Sequence, residues 1–346
     1  MSTLGTSRPT IIDVARATDP NGDIAKFADV IQSYNEHLDD IPWYEGNLAT
    51  GNLTTITSSY ASPSLRALNA GVTPTKSTTS QINDACSILE NRSRIDIDVA
   101  NLNGNAAAFR AMQDKLMMQG FGVSLAEHLI YGSSADNPLE FNGFATRYFT
   151  TGTTYTTSSQ VIDAGGTGSD NTSIYLVNWG EGRVSGVYPK GSVGGLKVED
   201  LGIKDVILNA TTGETLRAYE TWMQWKCGLA VHDYRNVVRI CNIDISNLET
   251  ADDSSDTSAN ILKFMSKALD YLPPDAGGMP VFYMNQRVRS MLRVKQIAKS
   301  NAHLTVADIA GPNQIMRRNT VNFYGIPCRR VDAILNTESQ ITTATT

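Results

Sequence analysis

The stretch "DAGGTGSDNTSIYLVNWGEGRVSGVYPKG", residues 163–191, holds seven glycines in 29 residues and decides how the chain is interpreted. Its glycine-rich turn, its apolar run and the "PKGS" at 189–192 each resemble parts of a nucleotide site. A P-loop, however, requires GxxxxGK[ST] between a strand and a helix, and here the lysine precedes the glycine. A dinucleotide-binding turn requires GxGxxG at the start of a helix, whereas "GTGSDN" at 166–171 ends in asparagine and precedes the strand-like "SIYLVNW".

The same stretch fits a structural role. We predict a turn over 165–171, a strand over 174–179, a second turn at "GEG" and a returning strand in "RVSGVYP". In this interpretation the two strands form a β-hairpin, and the glycines only turn the chain.

Composition indicates a folded protein of two or three compact units, since the chain has 346 residues, 41% of them apolar and 18% charged. The net charge of −6 and the absence of a basic run argue against strong nucleic-acid binding, which depends on neutralising phosphates. The densest basic patches, "RVRSMLRVK" at 287–295 and Arg317–Arg318, are interrupted or flanked by apolar residues and suit helix faces or subunit contacts.

The motifs that would indicate catalysis, a cofactor or a metal site each lack a residue or a spacing that they require. The acidic "DDSSDTS" at 252–258 lacks the glycine and glutamate of a calcium loop and fits a helix cap. The four histidines show no HExxH spacing, and "GVSLA" at 122–126 lacks the last glycine of a nucleophile elbow. Four widely spaced cysteines form no CxxC, so we expect neither a metal site nor disulfides, and folding in a reducing cytoplasm. No signal peptide or membrane span is expected.

The order of predicted elements indicates an α+β fold. An arm and the turn "DPNG" (19–22) precede a helix capped by Asp23, and a long helix is predicted at about 105–131. Apolar positions Ile88, Ile95, Ile97 and Val99 predict that part of 85–104 is a strand. Further on, 196–245 is β-rich, "PVFYMNQ" is a buried strand between two helices, and "NTVNFYGIPCRRVDAI" (319–334) is a strand pair.

Residues 46–85 differ from the rest, being rich in Thr, Ser, Gly and Asn with scattered large apolar side chains. The runs "NLTTITSSY" and "TPTKSTTSQI" predict two strands of a long hairpin. Because the segment has too little apolar surface to fold alone, we expect it to be buried on another molecule; disorder is the alternative.

With these features in place, the chain resembles the major capsid proteins of tailed bacteriophages, with the Hong Kong 97 type fold, and in particular the branch found in short-tailed phages. The stretches that carry the resemblance are "DPNG", "WYEGNLATG" (43–51), "NAGVTPTKSTTSQINDAC" (69–86), "DVANLNGNAAAFR" (98–110), the opening stretch, "YPKGSVGGLKVEDLG" (188–202) and "YGIPCRRVDAI" (324–334).

The resemblance implies a division of the chain into five parts. These are an N-terminal arm with the first helix (1–45), an extended loop (46–85), a peripheral domain with the spine helix (86–149), an axial domain (150–318), and return strands with a C-terminal tail (319–346). It also implies contacts between subunits at Trp43, Tyr44, Leu53, Ile56, Tyr60, Leu65, Arg66, Leu68 and Lys76.

The implied function is a non-enzymatic, cofactor-free capsid subunit of the virion, forming pentamers and hexamers of an icosahedral shell around double-stranded DNA. Expected partners are other copies of the chain, a separate scaffolding protein, a portal and a cement or decoration protein, with only weak, non-specific contact with the packaged DNA. The alternatives are an encapsulin-like shell around a cargo enzyme and a soluble nucleotide-binding enzyme.

Overall fold

The computed structural model describes residues 35–102, 105–209, 213–248, 260–274, 277–297, 304–309 and 318–343. The predicted N-terminal arm and most of the predicted first helix lie outside these residues. Within them, Leu38 belongs to a single 3-10 turn, Glu36–Asp39. The chain divides into a large unit (34–87, 126–192 and 227–346) and a small unit (1–33, 88–125 and 193–226).

The described part of the chain contains thirteen strands and six α-helices. The strands are β1 (Trp43–Glu45), β2 (Gly51–Ser59), β3 (Thr78–Asp96), β4 (Val161–Asp163), β5 (Asn171–Trp179), β6 (Val184–Tyr188), β7 (Leu196–Asn209), β8 (Glu214–Val231), β9 (Val237–Asp244), β10 (Met279–Met284), β11 (Leu304–Ile309), β12 (Arg318–Phe323) and β13 (Ile326–Arg330). The helices are α1 (Ile97–Asn101), α2 (Ala106–Tyr131), α3 (Phe144–Arg147), α4 (Ile245–Leu248), α5 (Ile261–Tyr271) and α6 (Gln286–Ile297).

The large unit is organised around β5, whose nine residues are all buried. Strand β9 pairs antiparallel with one edge of β5, from Asn171 to Val177, and β10 pairs antiparallel with the other, from Tyr175 to Trp179. Helices α5 and α6 contribute Ile261, Met265 and Leu292 to the apolar core that also contains residues of β5, β9 and β10. The predicted buried strand between two helices is thereby confirmed as β10.

The predicted hairpin of β5 and β6 is wrong. Strand β6 is paired with β5 at Trp179 and Val184 alone, whereas it pairs over most of its length with β8 and β1. Since β9 and β10 occupy both edges of β5, "RVSGVYP" has no edge left along which to return. The turn at "GEG" is nevertheless present, closed by Gly180 N donating to the Val184 carbonyl at 3.1 Å.

The glycine-rich turn 165–171 receives the end of the chain. Gln340 N donates to the Gly168 carbonyl at 3.1 Å, and Glu338 N donates to the Asn171 carbonyl at 2.9 Å. Asn242 exchanges two hydrogen bonds of 2.8 Å with the backbone of Ile341. Residues 335–343, here called the C-terminal strap, are thus bound to the turn and to β9.

The strand pair predicted in 319–334 is confirmed. Strands β12 and β13 pair antiparallel, with Phe323 opposite Ile326. The two residues between them, Tyr324 and Gly325, have φ of 48° and 82°. Positive φ at both central positions is characteristic of the type I′ turn, one of the two common two-residue hairpin turns.

The small unit combines the first part of α2 with the antiparallel hairpin of β7 and β8. The predicted long helix is present as α2, whose first twenty residues belong to the small unit and last six to the large unit. A cluster of buried residues comprises Ile95, Ala100 and Phe109. The predicted apolar stripe of the helix is buried at Phe109 and Ile130, but Leu116 within it is exposed.

The alternating pattern in 85–104 predicts only part of the structure there. Strand β3 extends to Asp96, but Ile97 and Val99 lie in helix α1 and not in a strand. The Asp96 carboxylate accepts a hydrogen bond from Asp98 N at 3.0 Å, so that Asp96 acts as a helix N-cap and ends the strand.

Candidate subunit-contact surface

The extended loop is an antiparallel hairpin, as its sequence predicts. Strand β2 pairs with the first part of β3, from Gly51 opposite Ala85 to Ser59 opposite Thr78. Residues 57–81, here called the loop tip, are all exposed. Within the tip, Tyr60 is 85% exposed, and Leu65 and Leu68 are each at least 95% exposed. Such large apolar side chains, collected on one projection, are typical of a surface that binds a partner.

The loop tip holds its shape through polar contacts. Ser59 Oγ and Thr78 Oγ1 lie 2.6 Å apart, and Ser77 Oγ accepts a hydrogen bond from Ala61 N at 3.0 Å. Thr75 Oγ1 donates to the Ser62 carbonyl at 3.1 Å. These bonds connect the two sides of the tip without burying its apolar side chains, which therefore stay available to another molecule.

The base of the loop is fixed by a buried carboxylate. Asp84, 2% exposed, accepts a hydrogen bond from Arg147 Nη1 at 2.8 Å and one from Val231 N at 3.3 Å. Arg147 also donates through Nη2 to the Leu229 carbonyl at 2.9 Å. A charge-assisted pair of this kind, shielded from water, holds the base of the hairpin against α3 and β8.

A glycine and a histidine complete the base. A Cβ atom on Gly51 would clash with the Asp84 carbonyl oxygen, so only glycine fits this position. His232 Nδ1 and Thr54 Oγ1 lie 2.9 Å apart. Burial lowers the pKa of His232, and the negative charge of Asp84 opposes that shift in part.

The nine residues predicted as subunit contacts fall into three groups. The loop tip contains five of them, all exposed and all beyond the paired strands: Tyr60, Leu65, Arg66, Leu68 and Lys76. Leu53 and Ile56 are half-buried on β2, outside the tip. Tyr44 is exposed on β1, whereas Trp43 packs on β6, where Gly186 leaves room for its ring. The contact role of all nine stays a prediction.

The small unit has exposed apolar residues that the sequence analysis did not single out. Val198, Ile203 and Ile207 of β7 are exposed, as are Leu116 and Met118 of α2. Each lies in a regular element where an apolar residue is expected to be buried. The apolar pattern alone could not show that these positions face outward.

The glycine-rich turn has the geometry of a structural element. Gly165 N donates to the Asp163 carboxylate and Gly166 N to the Asn242 carbonyl, both at 2.8 Å. Because these amides already donate to protein acceptors, they are not available to bind a phosphate.

In the part of the chain that the structure describes, no group of His, Cys, Asp or Glu side chains could hold a metal ion. The four cysteines are free thiols. Among the described helices, none has the length and apolar character needed to cross a membrane.

Comparison with known proteins agrees with the resemblance seen in the sequence. The family model described as "Major capsid protein GP7" matches residues 19–342. A solved structure of Bacteriophage Epsilon15 is similar over 99% of each chain, with 30% identity and a TM-score of 0.78. The chain belongs to this family of major capsid proteins.

More distant similarities are found to the Bacteriophage JBD30 capsid and to the SrpI encapsulin of Synechococcus elongatus. The first has 11% identity and a TM-score of 0.44, over 88% of this chain and 96% of that one. The second has 12% identity and a TM-score of 0.40, over 64% and 93%. No curated protein sequence matches the chain.

The predicted family and fold class are thus confirmed. The protein is a tailed-phage major capsid protein with the α+β fold of the Hong Kong 97 type. It is a structural component of the virion capsid, and copies of it form the icosahedral shell.

Proposed function

We propose that this capsid protein forms pentamers and hexamers around double-stranded DNA, and that the loop tip holds neighbouring copies together. The supporting observation is the exposure of every residue from 57 to 81, with Tyr60, Leu65 and Leu68 among them. Full burial of one large apolar side chain stabilises a complex by about 1.5–3 kcal/mol. Three such side chains per copy, repeated around a closed shell, are a substantial driving force.

The charge of the loop tip supports the same role. Its charged residues are Arg66 and Lys76, both positive, in a chain whose net charge is −6. A positive projection on an acidic protein is attracted to other copies of that protein, which favours self-association. The same acidic character fits weak, non-specific contact with packaged DNA.

The shell positions of the remaining parts follow the family resemblance. Residues 86–149, including α2, would be the peripheral domain, and residues 150–318 the axial domain near the symmetry axes. The large and small units divide the chain at other borders, since 193–226 group with 88–125. A separate scaffolding protein, a portal and a cement or decoration protein are the proposed partners, and the role is non-enzymatic.

Replacement of the loop by a short turn tests this proposal. Ser59 and Thr78 face each other, so residues 60–77 can be exchanged for Asn-Gly, which closes a two-residue hairpin. We expect soluble chains with unchanged circular dichroism that form no closed shells in electron micrographs. Normal shells from this variant would contradict the role of the tip.

A full-length variant separates the side chains from the backbone of the loop. The triple substitution Tyr60→Ser, Leu65→Ser and Leu68→Ser keeps the length of the tip but removes its apolar surface. Leu139→Ser is the matched control, since Leu139 is 81% exposed and lies outside the loop. We expect the triple variant to assemble at least tenfold less efficiently than this control, and equal assembly would refute the proposal.

A further inference from the structure

Residues 35–41, which precede β1, are bound to the large unit through two carboxylates. Glu36 accepts hydrogen bonds from Arg289 Nη1 and from Arg330 N, both at 3.1 Å. Asp40 forms an ion pair with Arg329 at 2.7 Å and accepts a hydrogen bond from the Tyr283 hydroxyl at 2.9 Å. The segment is therefore attached at both ends of its 3-10 turn.

His37 lies between these two carboxylates and has a different environment. It is 1% exposed, and its ring meets the Tyr283 ring edge-on at 5.9 Å. Neither ring nitrogen has a hydrogen-bond partner among the residues that the structure describes. A buried polar ring without a partner is costly, and a charged one would be far more so.

The charged and titratable groups around His37 are exposed or already engaged, with one another or, for the Arg330 side chain, with Asp332. Those on its own turn are Glu36, Asp39 and Asp40, with Asp39 exposed; those on the neighbouring elements are Tyr283 of β10, Arg329 and Arg330 of β13, and Arg289 of α6. The carboxylates of Glu36 and Asp40 are engaged by arginines, so neither is free to stabilise an imidazolium ion.

We propose that residues 35–41 form an acid-sensitive latch, which stays docked while His37 is neutral and detaches when His37 takes up a proton. This inference goes beyond the shell-forming role. It concerns how one copy of the chain holds its own N-terminal region, and it does not depend on contacts between copies.

Burial gives the direction of the response. It lowers the pKa of His37 from 6.5 to about 3. The released histidine binds a proton below its ordinary pKa and the docked one does not, so release becomes easier as the pH falls from 6.5 toward 3. From His37 alone, the released fraction rises about 100-fold between pH 7.5 and 4.5. Burial raises the pKa of Asp40, so its protonation favours the docked state and opposes part of this effect.

Hydrogen exchange measured by mass spectrometry tests the latch on the full-length chain. Protection factors of amides 36–41 are compared at pH 7.5 and 4.5, after correction for the chemical exchange rate, with β5 as the internal control. In the parent we expect protection of 36–41 to fall at least tenfold while β5 stays protected. In His37→Phe, which cannot take up the proton, we expect the fall to vanish.

Both His37→Phe and His37→Leu are made, because the comparison with the parent needs only one variant that folds. Equal falls in the parent and in a His37 variant would show that a group other than His37 causes the release, and would overturn the proposal. So would unchanged protection of 36–41 in the parent. Because the readout is local to one chain, it is independent of whether the loop-tip variants form shells.

Discussion

The large and small units are stabilised in different ways. In the large unit, strands β5, β9 and β10 and helices α5 and α6 share one continuous apolar core. In the small unit, the buried cluster of Ile95, Ala100 and Phe109 is accompanied by ion pairs between strands and helix. Because apolar burial is the dominant favourable term in folding, we expect the large unit to have the stronger intrinsic stability.

The difference bears on assembly. The small unit exposes Val198, Ile203 and Ile207 on β7, together with Leu116 and Met118 on α2. A unit with a modest core and exposed apolar side chains is stabilised if another copy covers those side chains. We therefore expect the small unit to be the part of the chain whose stability depends most on the shell.

The largest predicted effect compares one core phenylalanine from each unit. Phe282 is fully buried and packs edge-on against Phe323 at 6.0 Å. We expect Phe282→Ala to lower the free energy of unfolding by about 3–5 kcal/mol, through lost burial and the cavity left behind. Phe109→Ala should cost about 3 kcal/mol, at the lower end of that range, and should loosen the small unit first.

Hydrogen exchange of the two variants distinguishes these outcomes. In Phe109→Ala the amides of β7 should lose protection while those of β5 keep it, whereas in Phe282→Ala both should lose it. Loss of protection at β5 in both variants would show that the units unfold together, and the contrast between them would be lost.

The second prediction compares a buried acid from each unit. Glu338 of the C-terminal strap pairs with Arg239 at 3.1 Å, and both side chains are less than 8% exposed. Glu338→Gln leaves Arg239 with an uncompensated buried charge, and we expect a cost of about 3 kcal/mol.

Glu220 is the matched site in the small unit. It is also buried, but Arg94 and Arg92, which contact it at 3.0 and 3.5 Å, are 34% and 47% exposed. Since these arginines stay hydrated when the carboxylate is removed, Glu220→Gln should cost about 1 kcal/mol. Urea denaturation of both variants measures the difference, and equal costs would contradict it.

Local patterns explain which parts of the fold could be predicted. The strand pair β12–β13 is visible in the sequence because its turn residues, Tyr324 and Gly325, are adjacent and one of them is glycine. The long helix α2 is visible because its apolar spacing continues over many turns. The partners of β5 are not visible, because β9 and β10 lie far along the chain and a strand buried on both faces has no alternating pattern that favours one partner.

The candidate surface shows the same limit. The scarcity of apolar residues in 46–85 predicted a long hairpin that does not bury itself, and Tyr60, Leu65 and Leu68 do lie exposed at its tip. The pair of Asp84 and Arg147 at its base could not be predicted, since nothing in the spacing of the two residues indicates that they meet. His37 was likewise not singled out, because its burial depends on contacts with β10 and β13.

The smallest predicted effect concerns an ion pair at the surface of the small unit. Arg110 donates to the Asp200 carboxylate at 2.7 Å, and its guanidinium lies 4.6 Å from the centre of the Tyr219 ring. Arg110→Gln should lower the free energy of unfolding by about 0.5–1 kcal/mol, because Asp200 is largely exposed and water screens the pair. Arg110→Lys keeps the charge but loses the planar stacking, and it should fall between the parent and Arg110→Gln.

The dependence on salt concentration distinguishes this exposed ion pair from the buried pair of Glu338 and Arg239 in the large unit. At 1 M salt the screening length is about 3 Å, so the cost of Arg110→Gln should shrink toward the contribution of the Tyr219 contact. The cost of Glu338→Gln should change little, since ions do not reach Arg239. Urea denaturation at low and high salt measures both. An equal response to salt would mean that the two units differ in the size of their cores but not in the character of their electrostatics.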